Sequence, residues 1–171
     1  MQTVDVFLGL GSNLGNSKDN ILESVNLIQN MKDVQFLQRS KLYKTSPVNC
    51  KLDKDFINAV CHLRTDLSPD QLFDQLQHIE KKLGKEQKEK NEPRAIDIDI
   101  LLYGDQKYES SSLQIPHPSW KDRLFVLIPL SDLIDEILIP VGNKSFPFRV
   151  KEYISKFDNP NNETIEVVEH A

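Results

Sequence analysis

Only two cysteines, Cys50 and Cys61, occur among 171 residues. They form neither a C-x-x-C pair nor a ligand cluster with the four histidines, which argues against a disulfide framework and a zinc site and fits a reducing, cytoplasmic setting. Long apolar runs are also missing. The longest, Leu124 to Leu130, is far short of a bilayer span, and no basic stretch precedes an apolar run near the amino terminus, so neither a membrane-crossing helix nor a targeting leader is expected. Positive charge is scarce: 21 Lys and Arg stand against 26 Asp and Glu, a net charge of -5, and the basic residues are dispersed. Such a chain has no field to hold a polyanion, so nucleic acid is not an expected partner. Gly11-Ser12-Asn13-Leu14-Gly15 lacks the Lys and the spacing of a Walker loop and the pattern of a dinucleotide fingerprint, and is expected to be a structural turn.

What is present suits a single domain, with 39% apolar residues to build one core. Val4 to Leu10 is rich in strand formers and stops at the Gly11-Ser12-Asn13 turn. From Ser17, Ile21, Leu22, Val25 and Ile28 recur at helical spacing, with Asn16 or Ser17 as cap. Val34 to Tyr43 favours a strand, and 45–55 is a polar loop. In Phe56 to Thr65 a period of two places Ile57, Ala59, Cys61 and Leu63 on a core face and Phe56, Asn58, Val60 and His62 on the other. A second helix has both ends marked: Ser68 caps it, Pro69 opens it, Gln71 completes a capping box and Gly84 closes it. Lys85 to Glu92 is expected to be a solvated loop, a strand follows at Ala95, and a third helix is placed near Phe125 to Leu133. The order strand, helix, strand, strand, helix, strand predicts an α+β ferredoxin-like βαββαβ antiparallel sheet with packed helices. Residues 141–171 are expected to form an irregular tail.

The chemistry concentrates in Ala95-Ile96-Asp97-Ile98-Asp99-Ile100. Alternation puts the three isoleucines on one face and both aspartates on the other, their Cα atoms roughly 6.6 Å apart. Facing carboxylates repel unless a cation lies between them, and hard oxygen ligands of this kind suit Mg²⁺ with phosphate or water completing its shell. Asp is disfavoured in strands, so two at adjacent same-face positions point to function over a merely polar strand face. Arg94, Lys121 and Arg123 are cations that can hold phosphates around such an ion, though each singly is an ordinary surface residue. Phe56 and Phe125 are candidates to stack on a flat heterocycle, and Asn58 offers both a donor and an acceptor to its edge; taken alone, both phenylalanines are core residues. His117 lies between Pro116 and Pro118, which fixes its backbone and can aim its ring.

Together, GSNLG at 11–15, YKTSP at 43–47, FINA at 56–59, IEKKLGK at 79–85, PRAIDIDILLYG at 93–104 and IPHPSWKDRLFVLIPL at 115–130 resemble the stand-alone form of 6-hydroxymethyl-7,8-dihydropterin pyrophosphokinase, over about residues 6–140. The resemblance implies a ferredoxin-like fold and transfer of the β,γ-pyrophosphate of ATP to the hydroxymethyl-dihydropterin with release of AMP, in folate biosynthesis. It implies that Asp97 and Asp99 bind two Mg²⁺ ions and that Arg94 and Arg123 contact the triphosphate. Gln77, Ile100, Leu113, Gln114 and His117 are implied to help hold ATP, and Lys85 stands at a catalytic loop position. The pterin pocket maps to Phe56 and Phe125 as the stacking pair, Asn58 at the base edge, and Thr45 and Val48 through their backbones.

The chain departs from the family at several points. Lys85 stands where Arg is usual, Asn91 and Glu92 replace a common Trp-Gly, and Phe56 replaces Tyr in many members. Lys keeps the charge but loses the planar fork of Arg, and Lys88 or Lys90 offers a substitute cation. Val48 to Lys54 and Lys85 to Asn91 are candidate lids. The changes at Lys85 and at the missing Trp motivate one rival, a non-catalytic nucleotide- or pterin-binding module, against which Asp97, Asp99, Arg94 and His117 weigh. An RNA-binding module of the same plan wants basic charge and aromatics where this chain has aspartates. A monomer is expected.

Overall fold

Residues 2–46, 55–84, 95–160 and 162–169 are described by the computed structural model of the chain. Val48, Lys85, Lys88, Lys90, Asn91, Glu92 and Arg94, and with them both candidate lids, lie outside the described residues. β1 (Val4–Ser12) leads through the Gly-Ser-Asn turn into α1 (Ser17–Gln29), where the side chain of Asn16 accepts a hydrogen bond from the Asp19 N–H. β2 (Val34–Arg39) and β3 (Leu42–Thr45) follow, then β4 (Phe56–Thr65) and α2 (Pro69–Lys82). The expected capping box of α2 is formed: Ser68 Oγ accepts from the Gln71 N–H, and Gln71 Oε1 accepts from the Ser68 N–H. β5 (Asp97–Tyr103) completes the βαββαβ unit, and the sheet order β5-β1-β4-β3 with antiparallel neighbours confirms the ferredoxin-like plan.

The single strand expected over Val34 to Tyr43 is two. The chain bends at Ser40, whose N–H donates to the Val60 carbonyl and whose hydroxyl accepts from the Val60 N–H. This buried Ser therefore carries both backbone bonds of Val60 across the break, and β2 and β3 each pair with β4.

The two faces of the sheet are both covered, which corrects the expectation of one core face on β4. Val6, Leu8 and Leu10 of β1, Ala59, Cys61 and Leu63 of β4, and Ile98 and Ile100 of β5 form one core with Ile21, Val25 and Ile28 of α1 and Leu72 and Leu76 of α2. Phe7, Val60, Leu101 and Leu102 point the other way. They pack under α3 (Leu124–Leu133), which buries Val126, Leu127 and Leu130 there, beside Trp120. Burying a side chain such as Leu127 is worth about 1.5–3 kcal/mol, so this second layer is a structural component of the fold.

Between β5 and α3 lie the short hairpin β6 (Tyr108–Glu109) and β7 (Gln114–Ile115), and a 3-10 turn at Trp120–Asp122. The tail is also structured, in contrast to the irregular stretch expected from residue 141. β8 (Glu136–Val141) and β9 (Lys144–Arg149) form a hairpin turned at Gly142, whose φ of 62° suits glycine. α4 (Val150–Ser155) follows, with Val150 buried in the second core. β10 (Ile165–Glu169) then adds to the main sheet beside β3, with Ile165 opposite Thr45. Among the described residues, no helix is long and apolar enough to cross a membrane.

Candidate active site

β1 runs through the middle of the sheet, and the face that carries Phe7 loses its side chains at Gly9 and Gly11. Gly11 is paired with Asp97 of β5 on one side and with Asn58 of β4 on the other; Gly9 lies in the same way between Asp99 and Val60. A Cβ on Gly11 would stand 3.0 Å from Asn58 Oδ1 and 3.9 Å from the Phe56 ring, and one on Gly9 would stand 3.3 Å from Leu101. The glycines thus floor a trough with two carboxylates on one wall and a buried amide on the other. Adjacent strands lie about 4.8 Å apart, so Asp97 and Asn58 face each other across roughly 10 Å.

The carboxylate wall is built as alternation requires: Ile98 and Ile100 are buried on the helix side, while Asp97 is half-buried and Asp99 exposed on the trough side. The amide wall is rigid. Asn58 Nδ2 donates to Thr45 Oγ1 at 2.6 Å, both residues are buried, and the side-chain oxygen of Asn58 is left on the Gly11 side. Thr45 is held by its pairing with Phe56 across β3 and β4. α3 is fastened above β3 by Asp132, whose carboxylate accepts from the Tyr43 hydroxyl at 2.7 Å and from the Lys41 N–H at 3.1 Å. Burial first, and then that carboxylate, push the Tyr43 phenol far above its ordinary range, so it stays a donor.

His117 and Arg123 reach the trough from the segment before α3. The His117 N–H donates to the Leu101 carbonyl at 3.0 Å, anchoring the residue to β5, and the Ser119 N–H donates to Nδ1 at 3.2 Å. With Nδ1 as acceptor, the neutral ring carries its proton on Nε2. Burial pushes the His117 pKa down; the Asp99 carboxylate pulls it up and the Arg123 guanidinium pushes it down, with a net result below the usual histidine value. The same influences show that Asp99, His117 and Arg123 share one electrostatic neighbourhood. The Arg123 guanidinium also lies over the Phe125 ring, 5.3 Å from its centroid, within cation–π range.

Asp97, Asp99, Asn58, Thr45, Phe56, His117, Arg123 and Phe125 are therefore gathered on one side of the sheet. Gln77 is exposed on α2 and Gln114 exposed on β7, two elements that border β5. Leu113 is partly buried against the first core, and the Ile100 side chain is buried within it, which leaves Ile100 only its backbone for contact. Glu80 was not picked out by sequence reasoning. It is buried on α2 and accepts from the Ile98 N–H, between the two aspartates, at 2.7 Å. A glutamate in step with Leu72, Leu76 and Ile79 on the buried stripe of an amphipathic helix is the signal that would have found it.

This trough sits in a chain whose residues 7–135 match the profile of 7,8-dihydro-6-hydroxymethylpterin-pyrophosphokinase (HPPK). The chain belongs to the HPPK family. It is 31% identical over 137 residues to the 2-amino-4-hydroxy-6-hydroxymethyldihydropteridine pyrophosphokinase of Haemophilus influenzae, an alignment covering 80% of this chain and 86% of that one. It is 43% identical over 140 residues to a folic acid synthesis protein of Pneumocystis carinii, covering 82% of this chain but only 19% of that much longer one. Among solved structures, an HPPK-DHPS crystallised in complex with substrates is similar at a TM-score of 0.70 and 16% identity, over 91% of this chain and 43% of that one. The wild-type Plasmodium falciparum HPPK-DHPS, solved with pterin and p-hydroxybenzoate, is similar at a TM-score of 0.65 and 18% identity, over 91% and 42%. At these identities the solved structures speak for the HPPK fold alone.

Proposed function

We propose that this chain transfers the β,γ-pyrophosphoryl group of ATP to the hydroxymethyl oxygen of 6-hydroxymethyl-7,8-dihydropterin, giving the pterin diphosphate and AMP for folate biosynthesis. The observation that carries this is the row Asp97, Gly11, Asn58: a metal-type carboxylate and an amide suited to a heterocycle edge, on opposite flanks of one glycine. A bicyclic pterin whose edge is held at Asn58 points its hydroxymethyl arm along that row toward the aspartates. In the reaction the hydroxymethyl oxygen bonds to Pβ, the bond from Pβ to the oxygen that bridges it to Pα breaks, AMP leaves with that oxygen, and the hydroxyl proton is released. Such a transfer asks the protein for alignment and charge, with no covalent intermediate.

The donor set fits magnesium. Among the described residues no group of three His, Cys, Asp or Glu forms a metal cage, and Mg²⁺ at phosphate-transfer sites is ordinarily held by one or two carboxylates together with substrate phosphates. Asp97 and Asp99 would hold it, two ions in our reading, and bound there it offsets phosphate charge. Arg123, His117 through its Nε2 proton, and Arg94 outside the described residues hold the triphosphate, with Gln77, Ile100, Leu113 and Gln114 around the nucleotide and Lys85, also outside the described residues, as the catalytic loop cation. Phe56 and Phe125 stack on the pterin, Asn58 reads its edge, and Thr45 and Val48 supply backbone contacts. The enzyme works as a monomer in the cytoplasm, without nucleic acid.

The test is to incubate the pure protein with ATP, Mg²⁺ and 6-hydroxymethyl-7,8-dihydropterin and to separate the nucleotides by chromatography. Pterin-dependent AMP is expected. ADP in its place, or ATP binding without turnover, would overturn the proposal, the latter in favour of a non-catalytic binding module.

A further inference from the structure

Glu163 lies beyond the part of the chain that matches the family, in the tail that enters β10. Its placement is tightly specified. The side chain of Asn159 brackets its backbone, accepting from the Glu163 N–H at 2.8 Å and donating to the Glu163 carbonyl at 3.0 Å. The next residue, Thr164, extends the β10 pairing onto Ser46, with its carbonyl accepting from the Ser46 N–H and its N–H donating to Ser46 Oγ, both at 3.1 Å.

Glu163 is two residues before Ile165, which is paired with Thr45, so alternation puts the glutamate on the face where the Thr45 hydroxyl meets Asn58. From there its carboxylate reaches the start of α3: Oε2 accepts from the Leu124 N–H at 3.1 Å, immediately before Phe125. Arg123, at the cap position of α3, makes no side-chain capping bond, so Oε2 supplies the cap from a distance.

Capping needs one oxygen. The other, Oε1, is buried and has no hydrogen-bond partner among the described residues, in a residue only 6% exposed. A buried carboxylate oxygen left unpaired is costly, and native chains retain one where a donor arrives from outside. Pairing and hydrogen bonding set this side chain between Thr45 and Ser46 on one side and Leu124 on the other, and two residues of the proposed pterin pocket, Thr45 and Phe125, lie at these points.

We infer that Glu163 is a substrate-binding residue whose free oxygen accepts a hydrogen bond from the exocyclic 2-amino group of the pterin. The inference rests on the proposed function, since it takes the pterin as the occupant of that pocket. The chemistry is matched: the 2-amino group of a 2-amino-4-oxo ring is a pure donor, and a carboxylate is a pure acceptor. Asn58, which can both donate and accept, suits the neighbouring mixed edge. The tail thereby serves as part of the recognition surface, selecting 2-amino pterins over rings without that group.

The test is equilibrium titration with 6-hydroxymethyl-7,8-dihydropterin and with its 2-deamino analogue, in the presence of Mg²⁺ and a non-hydrolysable ATP analogue. The unaltered protein is expected to bind the 2-amino ligand at least about tenfold more tightly than the analogue, the scale of one hydrogen bond to a charged group. Glu163→Gln is expected to remove most of that preference while leaving binding of the 2-deamino ligand and of the nucleotide unchanged. Equal binding of both ligands by the unaltered protein would overturn the inference without needing any variant. A Glu163→Gln protein that weakens both ligands alike would also overturn it, assigning the residue to capping alone. If the unaltered protein bound ATP but neither pterin, the proposed function would fall, which is a distinguishable result.

Discussion

The carboxylate of Glu80, buried in α2, accepts a 2.7 Å hydrogen bond from the backbone N–H of Ile98, the residue between Asp97 and Asp99. Among the described strands β5 is the edge of the main sheet, so this N–H has no neighbouring strand to meet. Glu80 takes the place of that strand and fixes the stretch of β5 that carries both aspartates. Glu80→Ala leaves a buried donor unpaired at a cost of about 1–3 kcal/mol. For a chain of this size, the melting temperature is expected to fall by about 5 °C in a thermal unfolding scan. Turnover should fall further than stability explains, and Glu80→Gln, which keeps an acceptor, should recover most of both. A Glu80→Ala protein with unchanged melting temperature and rate would rule out this role.

Gly11 is required by space, since its pairing partners are Asp97 and Asn58 and its missing Cβ would stand 3.0 Å from Asn58 Oδ1. Asn58 can retreat only by giving up its bond to Thr45. Gly11→Ala is therefore expected to raise the KM for the pterin about tenfold while changing the KM for ATP little, the loss corresponding to roughly one hydrogen bond. Gly9→Ala meets the movable end of Leu101 at 3.3 Å and should be milder. Steady-state kinetics with each substrate varied in turn decides this; a larger effect on ATP than on the pterin would contradict it.

Much of this site could be read from the sequence because its signals are local. The Ile-Asp alternation over 96–100 dictates which side each residue faces, and Ser68, Pro69 and Gln71 mark the start of α2 within four residues. The remainder depends on contacts far apart in sequence. Ser40 breaks a strand by bonding Val60, and Ile165, far beyond the end of the βαββαβ unit, pairs with Thr45 in its middle, a register that no periodicity in Ile165 to Glu169 reveals. The second core was hidden for a related reason: Phe7 and Val60 each sit singly between residues of the first core, and only α3 shows what they are for. The β8-β9 hairpin is a different miss: Gly142-Asn143 is a turn signal between two strand-forming runs, and the expectation of an irregular tail from residue 141 passed over it.

The paired aspartates make a distinct prediction about metal. Two same-face carboxylates repel each other, and the Arg123 guanidinium and His117 near Asp99 offset part of this, so Asp97→Asn or Asp99→Asn should change the melting temperature in EDTA little. In Mg²⁺ with ATP the unaltered protein should gain several degrees by mass action, and each variant should lose most of that gain together with pterin-dependent AMP formation. Differential scanning fluorimetry under both conditions checks this, and an equal gain in the variants would remove the aspartates from the metal site.

His117 links the site to pH. Burial, first among the influences on it, and the Arg123 guanidinium hold its pKa in the folded protein below the ordinary histidine value, against the opposing pull of Asp99. A histidine depressed in this way takes up its proton more readily in the unfolded chain, so its contribution to stability is complete above about pH 6.5 and is lost as pH falls from there through the lower folded value. Protonation also turns Nδ1 into a donor facing the Ser119 N–H, which breaks the 3.2 Å bond that orients the ring. Chemical denaturation between pH 5 and pH 8 is thus expected to show unfolding free energy falling on the acid side of about pH 6.5, with His117→Asn showing a flatter profile over the same window. Identical profiles for the two proteins would mean that His117 titrates alike in the folded and unfolded chains.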